Sequence, residues 1–176
     1  MSDNKRHDFL ELVFKRIRAD SIYDASIIEV GLIRDESEEY RIGDGHATQW
    51  FYDYVRKSED ATYKGFDIAV RPLMLCSERF RHPRMQFIAS ELPWRELYCD
   101  VLYLDGSDDY VEAVNQFLAV EVQHCVVVDD TWQKAIPDYP AMPFYWIGKG
   151  ATLIPFLQAK GWEIWYENGM AAAFCY

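Results

Sequence analysis

Two short runs, residues 100–104 (DVLYL) and 124–128 (HCVVV), are apolar at nearly every position, and each is followed at once by aspartate. A strand with one wet face alternates polar and apolar residues, so a run with no polar face needs both faces covered, as in the middle of a parallel sheet. Parallel neighbours also need a crossover long enough to return the chain to its starting edge, usually a helix. The rest of the sequence supplies such crossovers.

Leu10, Val13, Phe14 and Ile17 recur at helical spacing with Lys15, Arg16 and Arg18 between them, which predicts an amphipathic helix ending near Ala19. Residues 26–30 are a short β-rich run closing on Gly31, and Ala47, Trp50, Phe51 and Tyr54 give a second helical face. Strands are expected at 65–68 and 85–89 around a short helical piece at 73–80. A connector through Pro93 and Trp94 then leads to the central strand at 100–104. Asp109 with Glu112 three residues on reads as a capping box, and Tyr110, Ala113, Val114 and Phe117 form the face of the helix that precedes 124–128. Pro137, Pro140 and Pro143 predict an extended, irregular surface loop. Thr152 would cap a last helix with Pro155 in its first turn and Gly161 as its stop. Residues 162–166 and 170–175 flank Asn168 and Gly169, a pair suited to a type I′ turn, so the last strand should run antiparallel. The expectation is one α/β domain over residues 1–176, with 1–25 as N-terminal helix and lead-in. Its architecture would be a Rossmann-like, doubly wound, seven-stranded sheet, mostly parallel with an antiparallel last strand.

Composition narrows the partners. The chain has 176 residues, half of them hydrophobic, and a net charge of −11, so it can bury a core but would repel a polyphosphate backbone over most of its surface. Nucleic acid is therefore not an expected partner. Arg79, Arg81 and Arg84 around His82 form only a short basic stretch, read as a solvated turn. Cys76, Cys99, Cys125 and Cys175 show no CxxC spacing, and the last three lie in or beside apolar runs, which suits a reducing, cytoplasmic setting. No signal peptide or membrane span is expected.

Sheets of this kind bind ligands outside the carboxyl ends of their strands, and the candidate site residues lie there. The first strand ends in Glu29-Val30-Gly31, followed by an acidic loop at 35–40 and then Gly43-Asp44-Gly45-His46-Ala47-Thr48 opening a helix. Glycines would let a backbone approach a ligand, although ordinary turn glycines also explain the segment. The third position of a G-x-G-x-x-G pattern is Thr48, and an acidic residue stands in the strand end, which weakens a pyrophosphate reading. A carboxylate there suits a positively charged methionine-derived ligand, directly or through a water. Gly65-Phe66-Asp67 places a second carboxylate where it could grip ribose hydroxyls, or act as a helix cap. The expected crevice is where the strand ends at Glu29 and Asp67 meet.

In their order, Glu29-x-Gly31, the delayed glycine turn, Gly65-x-Asp67, Ser90 and residues 104–110 (LDGSDDY) resemble the class I S-adenosylmethionine-dependent methyltransferases, especially the small catechol O-methyltransferase-like branch. The resemblance implies an enzyme that methylates a small molecule with S-adenosylmethionine, with oxygen as an acceptor. It implies that Glu29 holds the methionine amino end, that Gly31, Gly45 and Thr48 line the loop, and that Asp67 binds the ribose. Ile68, Ser90 and Glu91 would flank the adenine, and Gly43, His46 and Asp105 complete the cofactor set. Asp105, Asp129 and Asp130 match a trio that holds Mg²⁺, Mn²⁺ or Ca²⁺ in metal-dependent members; otherwise Asp129 and Asp130 cap the next turn and Asp105 bonds backbone N–H groups. With no metal between them, one of the three should have a raised pKa.

His46 and Tyr110 are the candidate bases, with His124 read as structural. Two other readings stand beside the enzyme: a methyltransferase-like nucleoside-binding or interaction module without catalysis, and, less favoured by Glu29, an NAD-dependent oxidoreductase. A small-molecule acceptor is the expected partner. Aromatics at Trp132, Tyr139, Phe144, Tyr145 and Trp146 could line its mouth or a homodimer face.

Overall fold

The computed structural model describes residues 5–33, 47–90, 97–106, 109–136 and 144–175. In chain order the elements are α1 (Lys5–Ala19), β1 (Ser26–Val30), α2 (Ala47–Lys57), β2 (Thr62–Asp67), α3 (Val70–Arg79), β3 (Met85–Ala89) and β4 (Leu97–Leu104). They continue with α4 (Tyr110–Leu118), β5 (Val120–Val128), β6 (Thr131–Ala135), β7 (Phe144–Gly148), α5 (Gly150–Ala159), β8 (Glu163–Glu167) and β9 (Met170–Phe174).

Seven strands form one sheet in the order β3-β2-β1-β4-β5-β9-β8, and only β9 runs against its neighbours. The two apolar runs are its centre: β4 pairs with β1 and β5, and Val101, Leu102, Tyr103, Leu104, Val126, Val127 and Val128 are all buried. Alternate residues serve opposite faces. Ile27, Val101, Cys125 and Val127 pack with α1, α2 and α3, whereas Ile28, Leu102, Val126 and Val128 pack with α4 and α5. Asp100, the polar residue that opens the first run, accepts from Ser26 N at 2.7 Å and Ser26 Oγ at 2.8 Å and so ties β4 to β1 at the amino end.

The closing hairpin is as expected. Asn168 and Gly169 both have positive φ, 51° and 83°, which a type I′ turn requires. Asp109 caps α4 through Val111 N at 2.8 Å. Arg84 bonds the carbonyls of Val55 and Ser58 at 2.8 and 2.7 Å, so part of the basic stretch pins the end of α2.

Two expectations need correction. The prolines predict an irregular segment beyond Asp130, but its flanks are strands: β6 and β7 pair antiparallel as a separate two-stranded ribbon, from Thr131 opposite Gly148 to Ala135 opposite Phe144. The prolines at 137, 140 and 143 lie between these strands, outside the described residues. The last helix also begins two residues before Thr152; Lys149 stands at its cap position and makes no side-chain capping bond, and Pro155 lies inside the helix rather than in its first turn. No described helix is long and apolar enough to cross a membrane.

Leu102 has no exposed surface, while Leu118 on α4 is 59% exposed. Urea unfolding should therefore report a loss of about 2–5 kcal/mol for Leu102→Ala and a change within about 0.5 kcal/mol for Leu118→Ala.

Candidate cofactor site

A crevice of about 400 Å³ opens at the carboxyl ends of β1, β2, β3 and β4. Its floor is backbone. Gly31 has a φ of 87°, and a Cβ there would stand 2.6 Å from the Cα of Gly106, so two glycines let the ends of β1 and β4 meet. Gly31 N donates to Phe66 O at 2.9 Å, and Asp105 N donates to Val30 O at 2.8 Å, which fixes this floor to the ladder. Asp67, Ile68 and Ser90 form one wall; Glu112, Asn115 and Gln116 of α4 form the other.

Asp67 accepts from Leu32 N at 3.1 Å through Oδ2 and from Ala69 N at 2.8 Å through Oδ1. A carboxylate offers about four acceptor positions, so two of them remain for a ligand. Ile68 is 75% exposed beside it. An apolar side chain held in water at a crevice rim is suited to lie against a flat ligand surface.

Glu29 is placed differently from the expectation. Strand alternation turns it to the α1–α3 face, where it is 2% exposed, and both its oxygens take protein donors: Thr48 Oγ1 at 3.0 Å and Tyr63 Oη at 2.5 Å. Burial raises its pKa to about 8, against the pull of those two hydrogen bonds and with the push of Asp105 and Asp129. Thr48 is likewise fully buried and serves Glu29. Gly65 has a related role: a Cβ there would lie 2.6 Å from the Tyr63 hydroxyl, so its bareness makes room for the phenol that reaches Glu29.

The three aspartates beyond β4 and β5 do gather, around cations that the chain itself provides. Lys149 Nζ donates to Asp105 Oδ1, to Asp105 O at 3.1 Å and to Asp130 Oδ2 at 3.1 Å, with only 5% of its side chain exposed. Arg6 Nε lies 3.2 Å from Asp129 Oδ2, and Arg6 Nη2 lies 3.2 Å from Asp130 Oδ1. Asp129 also accepts from Tyr103 Oη at 3.0 Å and from Asp130 N at 2.8 Å. Among the described residues no group of three acidic, His or Cys side chains is arranged to hold a metal ion. The metal trio is thus corrected: Asp105 and Asp130 converge on Lys149, whereas Asp129 turns to Arg6 and Tyr103. One pKa is raised as expected, since burial and the Asp105 charge push Asp129 up to about 7 despite Arg6. Burial also raises Asp105, with Lys149 opposing.

Of the residues picked out from sequence, Gly31, Asp67, Ile68 and Ser90 meet at the crevice, and Asp105 lies beside its floor residue Gly106. Tyr110 opens α4, half exposed. His124 lies in the middle of β5, 3.5 Å from Asp100, and does not line the crevice. Gly43, Gly45, His46, Glu91, Ser107 and Asp108 lie outside the described residues, as does the acidic loop at 35–40.

Several side chains escaped the sequence reading. Arg6 could have been found, since it lies three and four residues before Phe9 and Leu10 and so continues the buried stripe of α1. Lys149 and Tyr63 carry no comparable signal, and the crevice wall on α4 looks in sequence like a solvated helix face.

No family model matches the chain, and no curated protein matches its sequence. Solved structures do match its fold. The magnesium protoporphyrin IX methyltransferase of Synechocystis PCC 6803 with bound SAM is 13% identical, aligns over 97% of this chain and 80% of its own, and gives a TM-score of 0.59. The N-methyltransferase NodS of Bradyrhizobium japonicum WM9 is 10% identical over 98% of this chain and 95% of its own, with a TM-score of 0.55. The 1,6-didemethyltoxoflavin-N1-methyltransferase of Burkholderia thailandensis, with bound 1,6-didemethyltoxoflavin and S-adenosylhomocysteine, is 13% identical over 89% of this chain and 73% of its own, with a TM-score of 0.54. The chain therefore has the Rossmann-like fold seen in these methyltransferases.

Two outcomes follow from the buried groups. Glu29 binds its proton more tightly in the folded state than the ordinary value of 4.5, so between roughly that pH and 8 folding takes up protons and stability falls as pH rises. Asp129 adds the same sign up to about 7. Melting temperatures followed from pH 5 to 9 should decline, and Glu29→Gln, which keeps an uncharged polar group in place, should flatten the decline above about pH 7. Gly31→Ala should destabilise by about 1–3 kcal/mol from its backbone angle alone, before the contact with Gly106 is counted.

Proposed function

We propose that this protein is an S-adenosylmethionine-dependent methyltransferase acting on a small molecule. The observation that carries the reading is the crevice itself: a bare glycine floor at the strand ends beside Asp67, whose carboxylate keeps two acceptor positions open. Its size is that of a site for a nucleoside-containing ligand. When bound, S-adenosylmethionine supplies an electrophilic methyl group on a sulfonium centre. The protein's own task is to hold that group and an acceptor nucleophile in line and to exclude water, which can account for most of such an acceleration.

In this reading Asp67 accepts the ribose hydroxyls and Gly31 and Gly106 admit the ligand close to the backbone. Ile68 covers one face of the base, and Ser90 lies at its edge. Glu29 acts from beneath: by holding Thr48 at the start of α2 and Tyr63 on β2 it fixes both ends of the site's scaffold without entering the crevice. The β6–β7 ribbon follows the carboxyl end of β5 and exposes Trp132, Tyr145 and Ile147, which suits an apolar or aromatic acceptor. A metal-clamped oxygen acceptor would need Asp105 and Asp130 free, and Lys149 holds them, so the acceptor class is left as a small nucleophile. The free cysteines, three of them buried, fit a reducing cytoplasm.

S-adenosylmethionine and S-adenosylhomocysteine should each raise the melting temperature, by about 2.7 kcal/mol of stabilisation at a hundredfold excess over Kd, while NAD should not. Stabilisation by NAD alone would defeat the assignment. Asp67→Asn should weaken cofactor binding by about tenfold or more in calorimetry, the cost of one charge-assisted hydrogen-bond pair. Transfer of labelled methyl to a panel of hydroxyl, amine and thiol acceptors separates an enzyme from a binding module.

A further inference from the structure

The acidic corner beyond β4 and β5 is built around an ammonium group. Lys149 lies between Gly148 and Gly150, and both glycines are obligatory where they stand. A Cβ on Gly148, whose φ is 79°, would come 2.0 Å from Asp130 O, and one on Gly150 would come 2.5 Å from the Thr131 side chain. The chain is thus pressed against Asp130 and Thr131, with Lys149 N donating to Asp130 O at 3.1 Å. That approach sends the lysine side chain inward, where three oxygens meet it: the carbonyl and a carboxylate oxygen of Asp105 and one carboxylate oxygen of Asp130.

Three carboxylates in a mostly buried corner repel one another strongly unless a positive charge lies among them. Lys149 and Arg6 supply two. Three oxygens from two side chains and one carbonyl are also the kind of donor set that takes a hard divalent cation, with water completing the shell. An N–H donor ordinarily holds oxygens at about 2.7–3.2 Å, whereas a divalent ion would draw them in to roughly 2.0–2.6 Å. The two occupants are mutually exclusive, because Nζ stands among the same oxygens.

We propose that Lys149, braced by Arg6, is the built-in cation of this corner, occupying the place a divalent ion would take, so that the native protein binds no such ion there. Lys149 is buried and touches Asp105, whose neighbour Gly106 forms the crevice floor, so it is a positioning residue and not one that meets substrate. The inference does not depend on the methyl-transfer reading, since what is measured is ion binding to the protein alone.

The test compares the parent, Lys149→Met, and the double variant Lys149→Met with Asp105→Asn, each titrated with Mn²⁺ and with Ca²⁺ at constant ionic strength. Calorimetry and melting temperature are the readouts. The parent should show no saturable binding up to millimolar ion. Lys149→Met should melt on the order of 10 °C lower in chelator, and millimolar Mn²⁺ or Ca²⁺ should restore several degrees. The double variant, which loses a ligand along with the lysine, should be indifferent to both ions.

Saturable binding by the parent that Asp130→Asn abolishes would overturn the proposal. So would a Lys149→Met protein that gains no more from metal than the double variant. Should Lys149→Met fail to fold in chelator, recovery of soluble protein on refolding with Mn²⁺ supports the proposal, and failure to recover any counts against it. Lys149→Arg, which keeps the charge, should remain insensitive to metal.

Discussion

Five carboxylates stand at or just past the ends of adjacent strands, and the structure depends on how each is kept from repelling the rest. Glu29, Asp67, Asp105, Asp129 and Asp130 are brought together because every parallel strand delivers its last residues to the same edge. A like-charged cluster in partly buried surroundings is tolerable only if charges are removed, paired or left to water. All three solutions occur here. Glu29 is pushed toward its protonated form, Asp105 and Asp130 share Lys149, Asp129 takes Arg6 and Tyr103, and Asp67 stays at the crevice wall with backbone donors. Of the five, Asp67 is the one that both lines the crevice and keeps acceptor capacity for a ligand.

The same division explains what was legible in the sequence. The sheet was legible because residues 100–104 and 124–128 have no polar face, and a chain with such strands and amphipathic helices between them has few ways to cover both sides. The antiparallel end was legible from Asn168 and Gly169, whose positive φ values are a local requirement that few dipeptides meet. The β6–β7 ribbon was not, since prolines between its strands resemble an irregular loop and its alternation is spoiled by aromatics on both faces: Trp132 and Tyr145 on the exposed one, Phe144 and Trp146 on the face that packs toward Tyr166. Nothing in a local window distinguishes that pattern from a solvated connection.

For the site, the acidic half was legible and the basic half was not. Strand-end carboxylates announce themselves by following an apolar run, and Asp67, Ile68 and Ser90 fall where the fold rule puts a ligand. Their counter-charges come from 124 and 44 residues away in sequence, Arg6 to Asp130 and Lys149 to Asp105, so no spacing rule reaches them. Glu29 shows the limit of arguing from charge alone. Its position in the chain is that of a ligand-facing acid, but the alternation of β1 sends its side chain to the face opposite Val30, where Tyr63 and Thr48 already hold it.

The two ends of the β6–β7 ribbon carry this further. Asp130, with a φ of 45°, precedes the first ribbon strand, and Gly148, with a φ of 79°, closes the second. Lys149 follows at once and bonds both Asp130 and Asp105, so a single ammonium joins the base of the ribbon to the end of β4, next to Gly106 of the crevice floor. Thr131 N bonds Gly169 O at 2.7 Å, and a Cβ at Gly169 would meet the Trp132 indole at 2.9 Å, which sets the ribbon against the β8–β9 turn as well. These contacts, with Trp146 packed edge-on against Tyr166 at 5.2 Å, hold the ribbon at its base, where Thr131 stands opposite Gly148. The placement of that base next to the end of β4 is set by the same ion pairs that neutralise the acidic corner.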